Sequence, residues 1–255
     1  MEEILPRHVV CLLGNWKTLD EMEAMITSLA PPGFELDHEF SGPGEDDRMV
    51  TAFEHAADRV APSFFQEDIE AVKAHSSVAY ILSPKIPKAA AMQMSGMTLQ
   101  MVATMLEGGA LAAKSESAGI AHGFRRWIHL FTEYKSGYMQ ADPVRYANAL
   151  YDTWVRRPLS DGHWWYSCGM HLLGLPDIEI IPRNDPREAI QCMDFVGTRL
   201  LAGESIDNLL VDKIIMPEKD LPPEKIEPKK LSHKECKRYD EEDFFFNPYG
   251  YIRVD

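Results

Sequence analysis

Short apolar runs alternate with amphipathic stretches along most of the chain, and their periods predict the elements. HVVCLLG (8–14) is a continuous run ending at a glycine and reads as a buried strand. Thr18 then precedes LDEMEAMITSL, with Glu21 three residues on, so a capping box opens a helix whose apolar side is Leu19, Met22, Met25, Ile26 and Leu29. GFELDHEFSG (33–42) alternates apolar and acidic positions and predicts a half-buried strand with an acidic outer face. RMVTAFEHAADRV (48–60) predicts a helix after a GPGEDD turn, and SFFQEDIEAVKAH (63–75) another, with Ser63 as N-cap. SVAYILSP (77–84) is a second buried strand, and a Met- and Ala-rich helix runs from Lys88 to Leu106, closed by Gly108 and Gly109.

Further on, ALAAKSES (110–117) predicts a strand, AGIAHG a loop and FRRWIHLFTEY (124–134) a helix. In such a strand Lys114 and Glu116 share one face with Ala112, and Ser115 and Ser117 share the other. DPVRYANALYDTW (142–154) and NDPREAIQCMDFVGTRLLAG (184–203) both start with Asp then Pro, the pattern of a capped helix start. WWYSCGMHLLGLPDIEII (164–181) reads as one long extended stretch that Pro176 interrupts. Four prolines in 216–230 make that segment an extended arm, and the aromatic residues after it predict docking by Phe244, Phe245 or Phe246 with Tyr249 or Tyr251, on this chain or a second copy. No internal repeat is visible. The expected fold is α+β: a mixed, largely antiparallel sheet with helices packed on it, in one domain over 1–215, with sub-halves meeting near 135–142. A proline-rich arm and aromatic tail occupy 216–255.

Composition narrows this little: 45% hydrophobic and 26% charged residues are ordinary globular values. Charge changes the picture more. The net charge is −14, and residues 1–70 alone hold 16 acids against 4 basic residues. An acidic surface argues against nucleic acid as a partner, keeps a chain solvated, and suits a cationic protein. Four widely spaced cysteines form no disulfide framework. No run of about twenty apolar residues occurs, so no membrane span is expected and a cytoplasmic location is the reading.

Candidate chemistry concentrates between 108 and 130. Lys114, Glu116, Ser117 and His122 fall where a strand gives way to a helix, a common place for ligand contacts, with His122 expected to be partly exposed. Ser115 or Ser117 with His122 and Glu116 could serve a hydrolase, but no G-x-S-x-G elbow accompanies them. Cys168-Gly-Met-His171 and His233-Lys-Glu-Cys236 have the composition of a Cys₂His₂ zinc site. In a strand, however, positions 168 and 171 face opposite ways, so no metal is expected. His163, Trp164 and Trp165 read as the start of a strand after the Asp161-Gly162 turn rather than as an aromatic binding rim. There is no glycine-rich phosphate loop, and no cofactor is expected.

The stretch WWYSCGMHLLGLPDIEI, followed by AIQCMDFVGTRLLAGESIDN and preceded by ALAAKSESAGIAHGFRRW, resembles a bacterial family known as domain of unknown function 4261. The resemblance implies an α+β bacterial cytosolic protein and carries no catalytic residues. Two function classes stand. One is a binding protein whose acidic face meets a cationic partner, of immunity or inhibitor type, with self-association through the tail open to it. The other is a small-molecule hydrolase working at the Glu116–His122 loop.

Overall fold

The computed structural model describes residues 4–61, 64–182, 185–211 and 231–255. In chain order the elements are β1 (Val9–Gly14), α1 (Leu19–Leu29), β2 (Glu35–Leu36), β3 (Gly42–Pro43), α2 (Arg48–Ala56), α3 (Gln66–Lys73) and β4 (Ser77–Leu82). A 3-10 turn at Lys88–Ala90 leads into α4 (Ala91–Glu107), then β5 (Ala112–Ser115), β6 (Ile120–His122), α5 (Phe124–Met139) and α6 (Pro143–Trp154). The remainder is β7 (Arg156–Ser160), β8 (Trp165–Cys168), a 3-10 turn at Met170–Leu173, β9 (Asp177–Ile180), α7 (Pro186–Leu201), α8 (Ile206–Val211), β10 (Leu231–Lys234) and β11 (Tyr251–Val254). The fold is α+β, as expected, but its strands divide between two sheets.

The first sheet has the order β2-β4-β1-β5-β6, with β3 also on β4, and every pairing is antiparallel. β1 lies in the middle and is buried along its whole length. Alternation sends Val10 and Leu12 to one side and Cys11 and Leu13 to the other. Val10 and Leu12 join a large apolar cluster, while Cys11 and Leu13 pack with Phe53 of α2 and Val72 of α3. A strand covered on both faces must be apolar throughout, which is why VVCLLG shows no polar alternation.

The second sheet has the order β10-β11-β9-β8-β7, antiparallel except where β11 runs parallel to β9. One apolar cluster joins the sheets: Leu12 and Ile81 belong to it with Ile178, Ile180 and Ile252, through Trp127 of α5 and Trp154 of α6.

Four local expectations are corrected. Residues 33–42 do not form one strand. The Asp37 carboxylate accepts from the Glu39 and Phe40 amides at 3.0 and 3.3 Å, an Asx turn that competes with the sheet ladder and splits the segment into β2 and β3. AGIAHG is not a loop but contains β6, which pairs with β5. The helix over 48–60 ends at Ala56, so Asp58 and Arg59 lie beyond it. The extended stretch 164–181 is broken at Gly169 and Gly174, whose φ angles of 116° and 75° curl Met170–Leu173 into a turn.

Ser63, the expected cap of the next helix, and the 216–230 arm lie outside the described residues. The helix start at Phe65 is instead held by Asp68, whose Oδ2 accepts from the Phe65 amide at 2.9 Å. Its Oδ1 accepts from the Phe124 amide at 2.9 Å, so one carboxylate serves the N-termini of both α3 and α5. A Cβ at Gly123 would come within 2.3 Å of Asp68 Oδ2, so this approach requires glycine. The C-terminal aromatics dock on this chain through β11: Tyr251 is buried within the second sheet, and Phe245 packs edge-on against Tyr239 at 5.4 Å, while Phe244 stays exposed.

Candidate functional site

The β5–β6 hairpin is where the sequence concentrates its polar groups. Its register sets Lys114 opposite Ala121 and Ala113 opposite His122. Strand alternation therefore divides the four candidate residues between two faces. Lys114 and Glu116 point toward α2: Lys114 Nζ meets Glu116 Oε1 at 2.8 Å and lies 5.8 Å from the Phe53 ring centroid. Lys114 is buried and Glu116 half-buried. Cys11 is the β1 partner of Lys114. Burial, with Glu116 adding to it, pushes the Cys11 thiol up to about 12, so it holds its proton and is no nucleophile.

Ser117 and His122 work on the fold. Ser117 Oγ accepts from the Val9 amide and donates to the Arg7 carbonyl, both at 2.8 Å, fastening the end of β5 to the start of β1. His122 is not partly exposed but sealed, its side chain having no solvent-accessible surface. Nε2 donates to the Thr153 carbonyl at 3.0 Å, and the ring meets Trp127 edge-on at 4.8 Å. Nδ1 faces Asp58 Oδ2 at 3.3 Å, without a well-directed hydrogen bond. Burial alone would raise the Asp58 carboxyl, but His122 and the amides of Val60 and Ala61 prevail and hold it at about 2. With Nε2 on a backbone carbonyl and the Ser117 hydroxyl bonded on both sides, the hairpin offers no general base beside an activated serine. Nothing in the sequence of AADRV marked Asp58 as this buried partner, because the amphipathic pattern carried the helix past it.

The metal expectation rested on a strand between Cys168 and His171, and that premise does not hold, because Gly169 starts a turn. His171 is buried in the core, and His233 Nε2 is bonded to the Tyr249 carbonyl at 2.8 Å. Among the described residues no three His, Cys, Asp or Glu side chains converge as metal ligands.

A cleft of about 710 Å³ opens over the second sheet. Its central charges are matched: Glu179 is reached by Arg238 at 3.1 Å and Arg253 at 2.7 Å, and Arg238 also meets Asp161 at 2.9 Å, while Lys234, Glu235 and Lys237 line it without an ion pair among the described residues. Trp164, placed by the Asp161 turn, is the shelf on which Arg253 stacks at 4.0 Å.

Some acids of the first third stand on the segments about the β2–β3 edge of the first sheet, where α1 packs beside β2 and α2 follows β3. Asp20, Glu39, Glu45 and Asp47 are exposed on these segments. None of these four forms an ion pair among the described residues, in contrast to Glu35 with Arg7 and Asp46 with Arg48.

The architecture defines an α+β protein with two sheets and a buried histidine–aspartate pair. Compared with known proteins, the chain matches no family model, no curated protein and no solved structure. Among the described residues no helix is long and apolar enough to cross a membrane.

Proposed function

We propose that this chain is a binding protein whose acidic edge docks a cationic protein partner. The observation that carries the reading is the set of exposed carboxylates Asp20, Glu39, Glu45 and Asp47, without ion pairs among the described residues, on the segments about the β2–β3 edge. Complementary charge accelerates and orients association, and an immunity or inhibitor role is the kind of function such a surface serves. A cytoplasmic, bacterial setting and membership of the domain of unknown function 4261 family belong to the same proposal. The hydrolase alternative has less support, because His122 is sealed and Ser117 is committed to the β1–β5 junction.

The test is affinity capture from the source cell with the wild-type chain and with a variant carrying Asp20→Asn, Glu39→Gln, Glu45→Gln and Asp47→Asn. A basic protein should be retained by the wild type alone and released as salt rises from about 0.05 to 0.3 M, the range over which surface charges become screened. Retention of the same proteins by both chains, or of none by the wild type, would sink the proposal.

A further inference from the structure

The geometry points to a small-molecule oxyanion site at the seam between the two sheets, held by Arg59 and Arg156. The seam is built from edges. β6 ends the first sheet and β7 ends the second, and a cleft of about 610 Å³ lies there, lined by Glu54, His55, Ala57, Asp58, Arg59 and Arg156. That volume is in the range of small-ligand pockets.

Pairing sets these two arginines apart. Every other arginine among the described residues has a carboxylate within 4.0 Å: Arg7, Arg48, Arg125, Arg126, Arg145, Arg157, Arg187, Arg199, Arg238 and Arg253. Arg59 and Arg156 have none, and they are neighbours. This is a chain with a net charge of −14, so acids are not scarce. Glu54 lines the same cleft and pairs with neither, while the Asp58 carboxylate is engaged by His122 and two backbone amides.

Both guanidinium groups are held by uncharged acceptors that position them without cancelling their charge. Arg156 Nη2 donates to the His55 carbonyl at the end of α2, and Arg59 Nη1 donates to the Pro158 carbonyl on β7 at 3.1 Å. Each arginine thus reaches across the seam from one sheet's side to the other. Arg156 Nε is buried and has no hydrogen-bond partner. A Cβ on Gly119, in the β5–β6 turn, would sit 3.2 Å from Arg156 Nη1, so the hairpin backbone passes close beside the fork.

Two adjacent like charges cost free energy, and burial adds to the cost. Burial first, and then Arg59, hold the Arg156 guanidinium below its ordinary value. An oxyanion between the two guanidinium groups offsets both costs. Planar guanidinium donors match phosphate and carboxylate oxygens in pairs, so the ligand class is a small molecule bearing a phosphate or carboxylate group.

The experiment is calorimetric titration of the full chain with inorganic phosphate and, separately, with succinate, in low-chloride buffer. Saturable one-to-one binding of at least one anion is expected, and the stronger of the two identifies which oxyanion the site prefers. Removal of Arg156 risks the fold because that side chain also braces α2. Arg59 is exposed, so Arg59→Gln carries the test, with circular dichroism to verify its fold. That variant should weaken binding by about tenfold or more, the loss of one charge-assisted donor pair. Arg125→Gln, a change at an exposed arginine outside the cleft, should leave binding unchanged. Absence of saturable binding of either anion up to about 20 mM, a concentration at which even millimolar sites fill, would overturn the proposal. So would equal affinity in the wild type and Arg59→Gln.

Discussion

The two sheets reach the same burial by opposite means. In the first, the central strand is apolar on both sides, and Val10, Cys11, Leu12 and Leu13 are all completely buried. In the second, strands β7 to β9 carry polar and charged side chains inward. Arg157 is held by Asp152 and Asp194, and Glu179 by Arg238 and Arg253, while Asp177 accepts from Ser167, Asn247 and the Met170 amide. Burial pushes the Asp177 carboxyl up to about 7 even against those donors. The first sheet is driven together by desolvation of hydrocarbon, which needs no particular partner. The second depends on named partners, because a buried charge without one is costly.

The sharpest way to break the second sheet alone is to remove residues 231–255. This deletes β10 and β11 and uncovers Ile178 and Ile180, both completely buried. Loss of Tyr251, Ile252 and Val254 from the interior forfeits about 1.5–3 kcal/mol each, a large part of a typical domain stability of about 5–15 kcal/mol. The shortened chain should lose its cooperative thermal transition, as followed by circular dichroism. A transition unchanged in midpoint and steepness would mean that the sheet stands without β11.

Glu179→Gln tests the partner dependence itself. It leaves two arginines facing an uncharged amide in a cleft open to solvent, and the loss of these charge-assisted bonds costs about 1.5–3 kcal/mol. Leu12→Ala is the matched change in the first sheet, with a cost of about 2–5 kcal/mol. Urea unfolding should distinguish the two: adding salt should narrow the gap between Glu179→Gln and wild type but not the gap for Leu12→Ala. Equal salt responses would erase the contrast.

Acid probes the layer between the sheets. His8 and His171 are fully buried, and burial lowers them to about 3 and about 4. In the unfolded chain both protonate near pH 6.5, before the folded chain does. Their contribution is therefore intact above that pH and is lost as pH falls toward their folded values. Asp177 acts in the opposite sense, its contribution fading as pH rises through about 7. Comparison with His171→Phe isolates one histidine, because the replacement ring does not titrate. The wild type should lose about 2 kcal/mol more than this variant between pH 7 and 5. Parallel denaturation midpoints across that range would show that His171 is not held neutral by burial.

The smallest expected effect is at the N-cap of α1. Thr18 Oγ1 accepts from the Glu21 amide at 3.2 Å while Glu21 Oε2 accepts from the Lys17 amide at 2.7 Å. Thr18→Ala should cost about 1 kcal/mol in urea unfolding. No measurable change would mean that α1 is held by Met22 and Ile26 against the first sheet rather than by its cap.

Local chemistry determined much of this protein. The apolar runs at 9–14 and 77–82, the capping box at Thr18, and the Asp-Pro starts at 142 and 185 all became what their patterns predict, because each depends on neighbours within one turn or on burial alone. The same local reasoning fell short where one side chain or one glycine redirected the backbone, at Asp37 and at Gly169. Tertiary structure alone decided the rest. It set β11 beside β9, 74 residues away, and sealed His122 against Asp58 by bringing the end of α2 onto β6. It also left Arg59 and Arg156 side by side without a carboxylate. Such meetings depend on which edges and faces come together in three dimensions, and no period or spacing along the chain encodes them.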